Sequence, residues 1–198
     1  MARAQFEKHQ VLKNSSDAFW RLGYNATSMQ VIFEKTGLKP GSVYLAFGNK
    51  EGLFKEALNY YAQQSIARVT SSLEEANVLE ESICLILLGF VDDAFEQNYC
   101  SCFLVKSQLE LSGAPDLQAY AIAHLRDIES VYAHFLGKKY SMEDAKIKAT
   151  SLMMHIFGIR VYGYHQTTKS QMIAGLQSGL PWLPWERMIS QSRIDNAH

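Results

Sequence analysis

Three cysteines and six histidines are the side chains of this 198-residue chain best suited to nucleophilic or metal chemistry, and their spacing supports neither. His9, His124, His134, His155, His165 and His198 are scattered, with no His-Glu-x-x-His pair, no nucleophile elbow and no phosphate-binding glycine loop. Cys100-Ser-Cys102 offers two thiols without the further ligands that a metal needs. No catalytic centre, metal or cofactor is expected. The start of the chain has no apolar leader, so Cys84, Cys100 and Cys102 are expected as free thiols in a reducing cytoplasm. Cys102 stands apart, because it falls near an expected helix start. There the helix dipole favours a thiolate, with Lys106 one turn further on to help. The bland alternative is a small buried apolar side chain.

Recognition chemistry is better supported than catalysis. In Thr27–Phe47, TSMQVIFEKTGLKPGSVYLAF, either Thr27 or Ser28 can cap a helix whose inner face is Met29, Ile32 and Phe33. Gly37 ends that helix where a left-handed residue is required. Pro40 suits the first turn of the next helix, which turns Val43 and Phe47 inward. The opposite face of this second helix carries Lys39, Ser42, Tyr44 and Leu45. Two short helices joined by a tight glycine turn make a helix-turn-helix, whose second helix enters the major groove of DNA.

The elements that must position this pair are also helical. Apolar residues recur at threes and fours along the whole chain, and strand-like alternation is nearly absent. Breaks at Gly23, Gly37, Gly48, Asn77, Asn98, Gly113-Ala114-Pro115, Gly137 and Gly179-Leu180-Pro181 divide it into about nine helices. The expected fold is all-α. A three-helix head at 1–50 is joined by one long helix, Lys50 to about Ala76, to a sensing and dimerisation bundle at 51–198. No apolar run is long enough to span a membrane. The charge is uneven: residues 1–55 carry net +4 and the remainder −5, against −1 overall. That layout fits a head that meets phosphate and a body that does not.

The stretch GYNATSMQVIFEKTGLKPGSVYLAFGNKEGLFKEAL resembles the N-terminal signature of the TetR family of bacterial repressors, with Gly23, Tyr24, Thr27, Gly37, Gly41, Tyr44, Phe47, Lys50 and Leu53 in matching positions. The resemblance implies a repressor that binds a palindromic double-stranded operator as a homodimer and leaves it when a small-molecule inducer binds. It implies that Thr27, Tyr44 and Lys50 bond backbone phosphates. Ser28, Lys39, Gly41, Ser42, Tyr44 and Leu45 then line the DNA-facing surface. Two departures stand out: Pro40 precedes Gly41, and Leu45-Ala46 replaces a pair that often contains histidine. A recognition helix this poor in donors should read thymine methyls and groove shape.

In the body, YCSCFLVKSQLE resembles the Gly-Cys-Leu-Leu-Val-x-x-x-x-Glu segment of one branch of that family, through Cys102, Leu104, Val105 and Glu110. Some members of that branch sense electrophiles or oxidants through cysteine. An inducer pocket is expected around Phe90, Cys102, Phe103, Tyr120, His124 and Phe157. A dimer seam is expected on Ala145, Ala149, Leu152, Ile156, Ile159 and Gly163, spaced by threes and fours, with Met153 beside them. The competing readings are a redox sensor acting through Cys102 and an architectural DNA-binding protein with no inducer. The C-terminal Pro-Trp pairs are expected to clamp the tail onto the bundle.

Overall fold

The computed structural model describes residues 2–165 and 167–195, with side chains for 8–165 and 167–190. Arg3 and Glu7 of the charge count, and His198, therefore have side chains outside the described residues. The described residues form ten α-helices and one 3-10 turn, with no strand among them. In chain order these are α1 (Ala2–Leu22), α2 (Met29–Thr36), α3 (Pro40–Phe47), α4 (Lys50–Glu74), α5 (Leu79–Asp93) and α6 (Phe103–Glu110). The 3-10 turn Leu111–Gly113 follows, then α7 (Pro115–Leu136), α8 (Met142–Tyr162), α9 (Lys169–Gly179) and α10 (Trp185–Asp195). The all-helical expectation holds, and the long fourth helix ends two residues before Ala76.

Two compact units emerge. The first comprises Met1–Ser65 with Cys102–Ile128, and the second Ile66–Ser101 with Glu129–His198. Compactness thus divides the chain elsewhere than at residue 50, because the head recruits the first part of α4 and all of α6. An aromatic core explains that recruitment. Phe54 of α4 meets Phe19 edge-on at 5.0 Å and Phe103 of α6 at 5.7 Å, and Phe103 also meets Tyr61 at 5.6 Å. Phe19, Ile32, Val43, Leu53, Phe54 and Leu104 are all buried there. Each such side chain is worth about 1.5–3 kcal/mol when removed from water.

In the second unit α8 buries Ala145, Ala149, Leu152, Met153, Ile156 and Ile159. Ser141 caps its start by accepting from the Asp144 amide, and a Thr168–Gln171 capping box starts α9. Within the Pro-Trp tail, Trp185 is buried and its indole N–H donates to the Leu180 carbonyl at 2.8 Å. Arg187 pairs with Glu81, so α10 is fastened to α5 by charge as well as packing. Cys84 is buried in this unit, and burial pushes its thiol up to about 12, which makes it inert. Among the described residues no helix is long and apolar enough to cross a membrane, and no group of side chains could hold a metal ion.

Candidate nucleic-acid interface

The turn between α2 and α3 is closed first by backbone geometry. Gly37 adopts φ 69° and donates its amide to the Phe33 carbonyl at 2.9 Å. Asn14 reaches across from α1 and donates to the Lys35 carbonyl at 2.9 Å, satisfying an acceptor that the helix end leaves open. Pro40 takes the first position of α3, with Lys39 before it as N-cap residue. Inside, Ile32 and Val43 are buried and Phe47 is half-buried. Outside, Lys39, Gly41, Ser42, Tyr44 and Leu45 are all exposed. Leu45 is 92% exposed, an unusual position for leucine unless something covers it. Tyr44 leans edge-on against Phe33 at 6.1 Å yet stays 46% exposed.

Thr27 requires a correction. It is fully buried, and its hydroxyl donates to the Gly23 carbonyl at 2.6 Å. A group so enclosed cannot meet a phosphate in this conformation. Exposed Ser28 is the N-cap of α2 and accepts from the Val31 amide at 3.3 Å, so the hydroxyl available at this helix start is one residue later. Lys50 opens α4, and its ammonium lies over the Tyr24 ring at 4.5 Å. Partial burial lowers its pKa, while the Glu110 carboxylate acts in the opposite sense and favours the charged form.

The first unit also holds contacts that the sequence did not announce. Glu110, at the end of α6, accepts from the Tyr24 amide at 3.0 Å and the Asn25 amide at 2.8 Å. One turn earlier, the Lys106 ammonium donates to the Trp20 carbonyl at 2.6 Å. Lys106 was expected to support the Cys102 thiol; its ammonium instead serves α1. Cys102 is the N-cap residue of α6, so it stands at a helix start as expected, and its side chain is partly buried. The branch-like segment contained Glu110, but nothing local in the sequence could reveal a partner more than eighty residues away.

Residues 11–57 match the family described as bacterial regulatory proteins, tetR family. That match covers about a quarter of the chain, the part that holds α2, α3 and the start of α4. The chain is 32% identical over 111 residues to the HTH-type transcriptional repressor ComR of Escherichia coli, covering 54% of this chain and 52% of the relative. It therefore spans about half the length of that relative. It is 26% identical over 134 residues to the HTH-type transcriptional regulator YezE of Bacillus subtilis, covering 67% of this chain and 69% of that one. Among solved structures, the TetR family regulator CifR, a cysteine mutant in complex with 26-bp double-strand operator DNA, superposes with a TM-score of 0.75. It shares 22% identity, over 89% of this chain and 97% of that one, a likeness of fold.

The expected pocket residues fall in both units. Phe103 lies buried between Phe54 and Tyr61 in the first. Tyr120 meets His124 edge-on at 4.8 Å in the same unit. His124 is buried and neither ring nitrogen makes a hydrogen bond, its Nδ1 lying 3.5 Å from Asp127 Oδ2. In the second unit Phe90 lies under the Arg160 guanidinium at 4.1 Å and Phe157 is half-buried. The residues expected at a dimer seam are covered within the chain itself. Ala149, Leu152, Met153, Ile156 and Ile159 are buried within the chain, and Gly163 is closely approached by Tyr99 and Ala94. The apolar residues that α8 leaves exposed are Met142, Ile147, Met154, Val161 and Tyr162, and three of them, Ile147, Met154 and Val161, share one face. Beside them a groove of about 810 Å³ runs along α8 and α9, lined among others by Met154, His155, Gly158, Tyr162 and Gly175.

Proposed function

We propose that this chain is a DNA-binding transcriptional regulator acting as a repressor, with α3 as its recognition helix. The observation that carries the reading is the exposed face Lys39, Ser42, Tyr44 and Leu45 on a helix whose other side is locked into a closed helix-turn-helix core. Ser28, Lys39, Tyr44 and Lys50 supply phosphate contacts, which set affinity and register. Leu45 and Ser42 face base edges, and Gly41 lets the backbone come close. Operator-bound CifR and the repressor ComR are similar proteins and support the assignment.

A homodimer supplies two such heads for a palindromic site, since one helix-turn-helix offers too few contacts for useful specificity. Ile147, Met154 and Val161 repeat every seven residues, the spacing of a helix seam, and Gly158 and Gly175 leave open space for close approach. A second copy packing its α8 and α9 against this face is the occupant that fits. Release by a small-molecule inducer is the mode of control, by population shift between DNA-competent and incompetent conformers. Buried His124, without a hydrogen bond, is its best-supported ligand contact.

The test is selection of duplexes from a random pool by the full chain, followed by footprinting. A two-fold symmetric site is expected, with protected thymines opposite α3. Failure to enrich any sequence, at low as well as physiological salt, would overturn the reading.

A further inference from the structure

We propose that Glu110 is a positioning residue for DNA binding, whose carboxylate, seated on two amides of the α1–α2 turn, sets the course of α2 and α3. The inference rests on the DNA-binding reading and concerns what holds the recognition helices in place.

α1 ends at Leu22, and Gly23 turns the chain with φ 87°. The next two amides, of Tyr24 and Asn25, point together at one spot, the arrangement of a small backbone anion site. The Glu110 carboxylate fills it with one oxygen on each amide, at 3.0 and 2.8 Å. On the same face of α6, one turn earlier, Lys106 donates to the Trp20 carbonyl in the last turn of α1. A cation thus meets the carbonyl end of α1 while an anion meets the amides that follow it. The pairing fixes both the sign and the register of α6 against this turn. Gly23 is matched to it as well, because a Cβ there would come within 2.7 Å of Glu110 Oε2.

What the turn carries is the DNA-facing apparatus. Tyr24 packs on Phe54 at 4.7 Å and forms the shelf beneath Lys50. Thr27 bonds back to Gly23, and Ser28 then caps α2. The candidate phosphate contacts at the starts of α2 and α4 are therefore both referred to one carboxylate that lies outside the helix-turn-helix.

The test uses the full-length chain with Glu110→Gln and Glu110→Ala, and Lys50→Ala as a reference for a lost direct contact. Three quantities are measured: thermal melting, hydrogen exchange at the Tyr24 and Asn25 amides, and affinity for both the selected operator and an unrelated duplex. Glu110→Gln is expected to melt as a cooperative helical protein with faster exchange at both amides. Its operator affinity should fall about tenfold, the worth of one charge-assisted hydrogen bond. Affinity for the unrelated duplex should fall less, because it loses the phosphate contacts at Ser28 and Lys50 but no base contacts of α3, whereas Lys50→Ala should weaken both duplexes alike. Unchanged operator affinity, or amides that stay protected, would overturn the proposal. So would loss of cooperative melting in both variants, which would make Glu110 a folding residue only. A wild-type chain that enriches no duplex would defeat the DNA-binding reading before any variant is compared.

Discussion

Thr27 and Ser28 are adjacent hydroxyls with opposite surroundings. Either could cap α2 as far as sequence shows; burial distinguishes them, and burial depends on α1 and α4. Thr27→Val should remove the 2.6 Å bond to Gly23 and cost about 1–2 kcal/mol of stability, without altering the salt slope of DNA binding. Lys50→Ala should do the reverse, leaving the melting temperature nearly unchanged and reducing the slope of log K against log salt by roughly one phosphate. A slope change in Thr27→Val would restore it to the phosphate contacts. Glu80, in the second unit, offers a pH test. Burial pushes its carboxyl up, but hydrogen bonds from Lys139 and Tyr140 outweigh that and hold it below the usual value. A folded-state pKa below the unfolded one stabilises the protein above the ordinary carboxyl range, and that contribution is lost as pH falls through the folded value. Glu80→Gln should therefore be less stable than wild type at pH 7, with the difference shrinking on acidification in denaturant titrations. A difference independent of pH would rule out the charge.

At the scale of elements, the head was legible because its punctuation is local. Gly37 with φ 69° and Pro40 at the first helical position act within a turn, so residue type and spacing suffice to place α2 and α3. α8 was not legible in the same way. It is apolar on two sides, and the threes and fours of Ala149, Leu152, Ile156 and Ile159 run parallel to the sevens of Ile147, Met154 and Val161. Periodicity reports that a face is apolar, not what covers it. The Glu110 bonds are harder still, since they join segments more than eighty residues apart. Gly41 gives an element-scale prediction. It sits in α3 without a positive φ, and a Cβ there would meet nothing within 4 Å. Gly41→Ala should therefore stabilise the helix by about 0.5–1 kcal/mol yet weaken operator binding, because the added methyl stands where backbone and DNA approach. Tighter binding in a more stable variant would show that Gly41 plays no part in the contact.

For the whole molecule, the uneven charge and the exposed α8 face bear on the same question, how two basic heads act together. The +4 segment at residues 1–55 makes single-head binding salt-sensitive and weakly selective, while the −5 remainder contributes no attraction to phosphate. In the proposed dimer selectivity comes from pairing two heads, so the pairing surface would control affinity without touching DNA. Met154, 69% exposed beside Gly158, tests that surface. In the proposed dimer, Met154→Asp would place carboxylates in a desolvated apolar seam, whereas in the isolated chain they would remain in water. The variant should sediment as a monomer, keep its helical content, and bind a single half-site with about half the wild-type salt slope. Leu152→Ala, on the inward face of the same helix, should instead lower stability by about 2–5 kcal/mol through a core cavity. Met154→Asp that still sediments as a dimer would place the pairing surface elsewhere, and the exposed face of α8 would then need a different occupant.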